Sequence, residues 1–182
     1  SKNRQENLGR LLKHIKAIEK NHKIIVYCHY MYDDTYNALI KTFSKEGIRF
    51  ETIKKYKVKT NLDKLIIVKV DTQELYFLEK GTIREKFAVS TSVYGTGSEV
   101  NSFKTPLGRH VITEKIGKDL PFGAILKGRE WTGALANIIK EPIDTEFDVV
   151  TSRILWLSGL EEGLNLGPGV DSKSRYIYIH GT

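Results

Sequence analysis

Arg175-Tyr176-Ile177-Tyr178-Ile179-His180-Gly181-Thr182 is the stretch on which the reading of this chain turns. It alternates as a β-strand does, with Ile177 and Ile179 on one face and Tyr176, Tyr178 and His180 on the other. The strand therefore carries an imidazole to its C-terminal end, with a glycine directly after it. A ring in that position, beside permissive backbone, is placed to take a proton from a nucleophile. A histidine satisfied at a sheet edge is the plainer explanation. The residues upstream decide between the two.

Immediately upstream, residues 148–157 read as a strong strand. Arg153, Leu155 and Leu157 share one face, and Ile154, Trp156 and Ser158 share the other. A Gly/Asn/Pro loop over 163–169 returns the chain to Arg175. Residues 121–128 form a further strand between turns. The stretch 129–147, with Trp131, Gly133 and Pro142, is less regular; a short helix is expected at 134–140, and the stretch suits a cover over a groove. Earlier, the loop from Gly95 ends at Thr105-Pro106-Leu107-Gly108 and leads into a strand over 109–116. Its Gly95-Thr96-Gly97 opens no helix and lacks a Lys-Ser/Thr ending, so nucleotide binding is rejected.

Short strands and turns continue back to residue 62. Strands at 65–70 and 74–79 joined by Asp71-Thr72-Gln73 suit a hairpin, and Lys80-Gly81 makes the next turn. Phe87, Val89, Thr91 and Val93 alternate with Lys86, Ala88, Ser90 and Ser92 as a half-buried strand. Before residue 62 the texture differs. Leu8, Leu11, Leu12, Ile15 and Ile18 recur at helical spacing, a strand follows at 23–28, and Tyr36, Leu39, Ile40 and Phe43 mark a second helix between Asp33-Asp34 and Gly47. Strands at 48–52 and 56–59 complete a small α/β segment. The expected fold class is thus α+β: an α/β appendage over 1–61, then a mostly β domain over 62–182, a sandwich or partly closed barrel.

Four of these segments, in order, carry a resemblance. Thr105-Pro106-Leu107-Gly108, then 148–160 with Thr151-Ser152-Arg153, then Asn165-Leu166-Gly167, then Arg175-Tyr176-Ile177-Tyr178-Ile179-His180-Gly181-Thr182 are similar to the L,D-transpeptidase catalytic domain, the YkuD family, over about two thirds of the chain. The resemblance implies acyl transfer through a cysteine thioester, from a peptidoglycan tetrapeptide stem to the side-chain amine of a second stem, giving a 3–3 cross-link. His180 would be the base, and the carbonyl of Gly181 would orient it. Arg153 is a candidate for the substrate carboxylate, which a guanidinium matches bidentately, and Tyr178 and Trp156 would line the substrate groove. Thr105, Pro106 and Gly108 would shape its approach, with Pro106 fixing the loop and Gly108 allowing tight entry into the strand. In the family a Ser-His-Gly-Cys follows more than a dozen residues after His-Gly, and its cysteine is the nucleophile. This sequence ends at Thr182, so the resemblance implies that the nucleophile lies outside it and that the sequence as it stands is inactive. No cofactor is implied.

Each residue has a plainer alternative. An ion pair with Asp148 or Asp171 would explain Arg153, and strand aromatics such as Trp156 and Tyr178 often belong to a core. Cys28, the lone cysteine, follows Ile24-Ile25-Val26-Tyr27 and reads as a small buried residue; no disulfide or cysteine metal cluster is possible. His14, His22, His29, His110 and His180 have no metal-site spacing. A serine hydrolase is disfavoured by the lack of a Gly-x-Ser-x-Gly elbow.

The 182 residues carry a net charge of +7 spread along the chain, with no basic block inside a nucleic-acid motif. Peptidoglycan stem peptides and other anionic wall polymers are the expected partners; nucleic acid is not. No run of about 18 apolar residues suggests a membrane span. The sequence opens without Met or an apolar signal region, which reads as the inside of a mature protein and says nothing against export. Periplasm or cell wall is the expected location. The rival function is a peptidoglycan-peptide-binding module without catalytic activity.

Overall fold

In the expected hairpin over 65–79, polar and apolar residues alternate on the second strand, and the structure, a computed structural model, pairs the two strands in the register that this pattern demands. It describes residues 25–29, 63–137 and 149–182. The strands are β1 (Ile25–His29), β2 (Lys64–Lys69), β3 (Glu74–Glu79), β4 (Thr82–Ala88), β5 (Gly108–Ile116), β6 (Ala124–Lys127), β7 (Glu130–Leu135), β8 (Val150–Gly159) and β9 (Tyr178–Gly181). No helix occurs among the described residues. The helices expected before residue 48, and the strands expected at 48–52 and 56–59, lie outside them.

The sheet runs β4-β3-β2-β1-β5-β8-β6-β7, with β9 also paired to β8. β2 and β3 are antiparallel, Ile66 opposite Phe77. The expected strand at 23–28 is observed as β1. It runs parallel to β2, Val26 opposite Ile66, and antiparallel to β5, Val26 opposite His110. Val26, Ile66, Val68, Leu75, Phe77, Phe87, Leu107, Leu155 and Leu157 form one buried cluster, with Ile112, Ile177 and Ile179 packed against it. Burying a Leu, Ile or Phe side chain contributes roughly 1.5–3 kcal/mol. This cluster therefore sets which face of β9 points inward: Ile177 and Ile179 go to the core, and the alternate residues Tyr178 and His180 face away from it.

β8 holds the site together because it serves several ladders. Ile154 has Ile116 of β5 on one edge and His180 of β9 on the other. Thr151 has Ile125 of β6 and Gly181 of β9. β5 and β6 thus follow one another along one edge of β8, while β9 occupies the opposite edge. Between the two regions the register shifts at Thr151/Ile154, and Ser152 takes φ 61° there, with its hydroxyl accepting the Gly123 N–H at 2.9 Å. A bulge of this kind re-aims a strand.

Three expectations are corrected. The helix expected at 134–140 does not begin where expected: Ala134 and Leu135 are the end of β7, where Leu135 pairs with Ala124 of β6, and Ala136 and Asn137 continue without helix, while residues 138–140 lie outside the described residues. Helix-favouring residues are overridden by a hairpin whose two-residue turn, Gly128 (φ 59°) and Arg129 (φ 72°), is of the left-handed type that matches strand twist. The strand expected to reach Val93 ends at Ala88, because its partner β3 begins at Glu74; past that point Val89 N–H donates to the Gln73 carbonyl and Thr91 N–H to the Gln73 side chain. Val93 is 94% exposed. The terminal strand, expected from Arg175, starts at Tyr178, since Tyr176 adopts φ 57° and Ile177 N–H turns back to the Ser172 carbonyl.

Candidate functional site

β9 places His180 half-buried, opposite Ile154, with Nδ1 2.8 Å from the carbonyl oxygen of Gly181. A carbonyl oxygen only accepts, so Nδ1 carries the proton and donates it. The neutral ring then keeps its lone pair on Nε2, which has no hydrogen-bond partner among the described residues. An imidazole fixed in that tautomer can accept a proton at Nε2 and return it.

Two residues back along β9, Tyr178 shares this face and stands opposite Trp156 of β8. The rings meet edge to face with centroids 5.7 Å apart, and Tyr176 joins Trp156 at 6.0 Å. Trp156 Nε1–H donates to the Lys173 carbonyl at 3.1 Å, which fixes the indole. From the β6–β7 turn the guanidinium of Arg129 lies 4.7 Å from the Trp156 ring centre and 5.2 Å from that of Tyr176, and its Nη1–H donates to the Tyr178 hydroxyl at 3.3 Å. Lys173 Nζ lies 5.1 Å from the Trp156 ring centre and is paired with Glu114 at 2.8 Å. Tyr176 is 58% exposed, so the cluster is open to solvent rather than part of the core.

The remaining expected residues fall elsewhere. Arg153 gives Nη1–H to the Ser152 carbonyl and Nη2–H to the Lys118 carbonyl at 3.2 Å. Burial lowers its pKa, and Asp119 acts against that; Asp171 instead accepts the Ser174 N–H. Asp148 lies outside the described residues. Thr105, Pro106 and Gly108 lie at the other end of β5. Ile116 is level with Ile154 and His180, whereas Gly108 is eight residues back along the strand, on the order of 25 Å at the usual rise. There Thr105 bridges Thr96, its hydroxyl accepts the Ser92 N–H at 2.9 Å, and Pro106 is buried.

That far end is organised by contacts that no local pattern in the sequence marks. Asn165 is fully buried; its Oδ1 accepts the N–H groups of Leu160 and Glu161, and its Nδ2 donates to the carbonyls of Leu107 and Arg109. Glu161 accepts the Arg109 N–H at 2.6 Å. Gly108 has φ 89°, and a Cβ there would collide with Glu161 Oε2. His110, 1% exposed, lies between the Gly108 carbonyl at 3.1 Å and the Ser172 hydroxyl at 3.0 Å. Arg175 donates to the Lys104 carbonyl at 2.8 Å and the Ser102 hydroxyl at 3.3 Å, strapping the 95–104 loop to the segment that leads into β9.

The structure thus brings together His180, Gly181, Tyr178 and Trp156, and adds Arg129, which no local sequence pattern marks. A Gly-Arg pair in a hairpin turn was the available signal, and it says nothing of where the side chain lands. Among the described residues no group of three or more acidic, His or Cys side chains is set to hold a metal ion, and no helix is long and apolar enough to cross a membrane.

Comparison with known protein families matches residues 63–182 to YkuD, the L,D-transpeptidase catalytic domain. No curated protein and no solved structure matches the chain. The match spans well over half of the 182 residues, includes every described strand but β1, and contains the His180 site, so the chain belongs to the L,D-transpeptidase catalytic domain family, whose members act on peptidoglycan.

Proposed function

We propose that this chain carries the base and part of the substrate groove of an exported peptidoglycan L,D-transpeptidase that forms 3–3 cross-links. The observation that carries the reading is His180, with Nδ1–H held by the Gly181 carbonyl at 2.8 Å and Nε2 left open beside Tyr178 and Trp156. The thiol it serves is that of the Ser-His-Gly-Cys that the family places after His-Gly.

In this mechanism Nε2 removes the thiol proton, and the thiolate attacks the carbonyl between the diamino acid and the terminal D-alanine of a tetrapeptide stem. A sulfur–carbon bond forms as the carbonyl π electrons move to oxygen, where backbone N–H groups stabilise the charge. As the oxyanion collapses, the imidazolium returns its proton to the departing amine of D-alanine, leaving a thioester. The amine of a second stem then attacks, gives its proton to Nε2, and expels the thiolate as the new amide forms. The Gly181 carbonyl stabilises the transient positive charge on the ring by accepting Nδ1–H throughout. Trp156 and Tyr178 supply the apolar wall of the groove. In this account Arg153, Thr105, Pro106 and Gly108 act by holding loops rather than by touching the reacting atoms.

The test uses the full-length protein with purified tetrapeptide-stem fragments, reading released D-alanine and the 3–3 dimer by mass spectrometry. His180→Asn is expected to lower turnover by 10²–10⁴, the usual contribution of a positioned general base. Binding of the fragments with no dimer from the wild-type protein would favour the binding module instead.

A further inference from the structure

Beside the candidate site one cation is held in an unusual position. Arg129 sits at φ 72°, a left-handed conformation that a non-glycine residue rarely adopts, and the turn aims its side chain across β8 onto Trp156 and Tyr176. Its neighbours have partners: Lys173 is paired with Glu114 at 2.8 Å, and the Trp156 Nε1–H is taken by the Lys173 carbonyl. Among the described residues no carboxylate forms an ion pair with Arg129, although the charge of Glu114 reaches it. One donor is used on the Tyr178 hydroxyl at 3.3 Å. A guanidinium has five N–H donors, and the two aromatic rings contact its faces rather than its edges. Edge donors therefore remain for a planar anion.

Spacing then decides which anion. Tyr178 and His180 are alternate residues on one face of β9, about 7 Å apart along the strand. A peptide whose scissile carbonyl stands by the base has its next residue about 3.5 Å further on. One hydrogen-bond length of about 3 Å beyond that reaches the cation. Resting on the transpeptidase reading above, we propose that Arg129, oriented by Tyr178 and stacked on Trp156, binds the C-terminal carboxylate of the acyl-donor peptide and so makes the site specific for donors with a free terminus. The carboxylate leaves with the terminal D-residue, so Arg129 binds the donor and releases its hold when that residue departs.

The experiment is titration of the isotopically labelled chain with two synthetic tetrapeptides, one ending in a free carboxylate and one in a carboxamide, following the His180 ring signals by NMR. The acid is expected to bind about tenfold tighter than the amide, the effect of a charge-assisted pair at a half-exposed site. Arg129→Gln should erase that preference, and unchanged amide signals from the core strands β2 and β3 report an intact fold. Tyr178→Phe should reduce the preference without abolishing it. Equal affinities in the wild-type chain, or a preference that survives Arg129→Gln, would overturn the proposal and leave Arg129 as a clip between the β6–β7 hairpin and β8, with the transpeptidase reading intact. If neither peptide perturbs His180, that reading fails and the subsite falls with it.

Discussion

At His110, burial pushes the imidazole down to about 4 from its usual 6.5, against a raising contribution from the Gly108 carbonyl and with the charge of Arg175 adding to the fall. The folded protein therefore binds this proton less readily than the unfolded chain. The resulting stabilisation is complete above about pH 6.5 and is lost as the pH falls toward 4, amounting to about 3 kcal/mol in all. His110→Gln should be less stable at neutral pH, yet its urea midpoint should fall less between pH 6.5 and 4 than that of the wild type. Parallel pH curves for the two proteins would contradict this. Asn165→Ala should cost about 2 kcal/mol or more by denaturant unfolding, because it takes the side-chain partner from the Glu161 N–H and the Leu107 carbonyl, while the Leu160 N–H and the Arg109 carbonyl keep their bond to each other. His180 was legible in the sequence because strand alternation and a following glycine are local signals. The contacts of Arg129 and Asn165 were not: each acts on residues that only tertiary pairing brings near, Asn165 across 58 residues to Leu107 and Arg129 across 49 to Tyr178.

Among the elements, β8 shows how one strand serves both stability and site. Leu155 is fully buried in the main cluster, and Leu155→Ala should cost 2–5 kcal/mol. On the adjoining residues, Ile154 and Trp156 face His180 and Tyr178 across the ladder, so loss of the core side also unsettles the site. The strap from Arg175 is a separate element. Arg175→Ala should speed amide exchange at Gly97 and Thr105, which close the 95–104 loop, while exchange in β2 and β3 stays slow. Uniform acceleration across all strands would contradict a local role. β2 was readable as a continuous apolar run, buried from Leu65 to Lys69, and β3 because buried Leu75 and Phe77 alternate with Glu74 and Tyr76. β7 was not, because all six of its residues are exposed and its alternation carries no inward face. Its identity as a strand comes from the Gly128-Arg129 turn and from pairing with β6.

At the scale of the molecule, the described residues form a nine-stranded sheet and the full sequence carries a net charge of +7. Attraction to anionic wall polymers should follow from that charge and weaken as salt screens it, since the screening length falls from about 10 Å at 0.1 M to about 3 Å at 1 M. Co-sedimentation with purified cell walls at those two ionic strengths measures it, and binding that ignores salt would assign retention to the groove alone. The central claim is that His180 activates a cysteine thiol for acyl transfer. Intact-mass spectrometry of the full-length protein treated with a carbapenem tests it most directly. The account predicts one adduct, on the cysteine of the Ser-His-Gly-Cys segment, formed far more slowly in His180→Asn. No adduct, an adduct on Cys28, or an adduct that forms equally fast without the imidazole would contradict it.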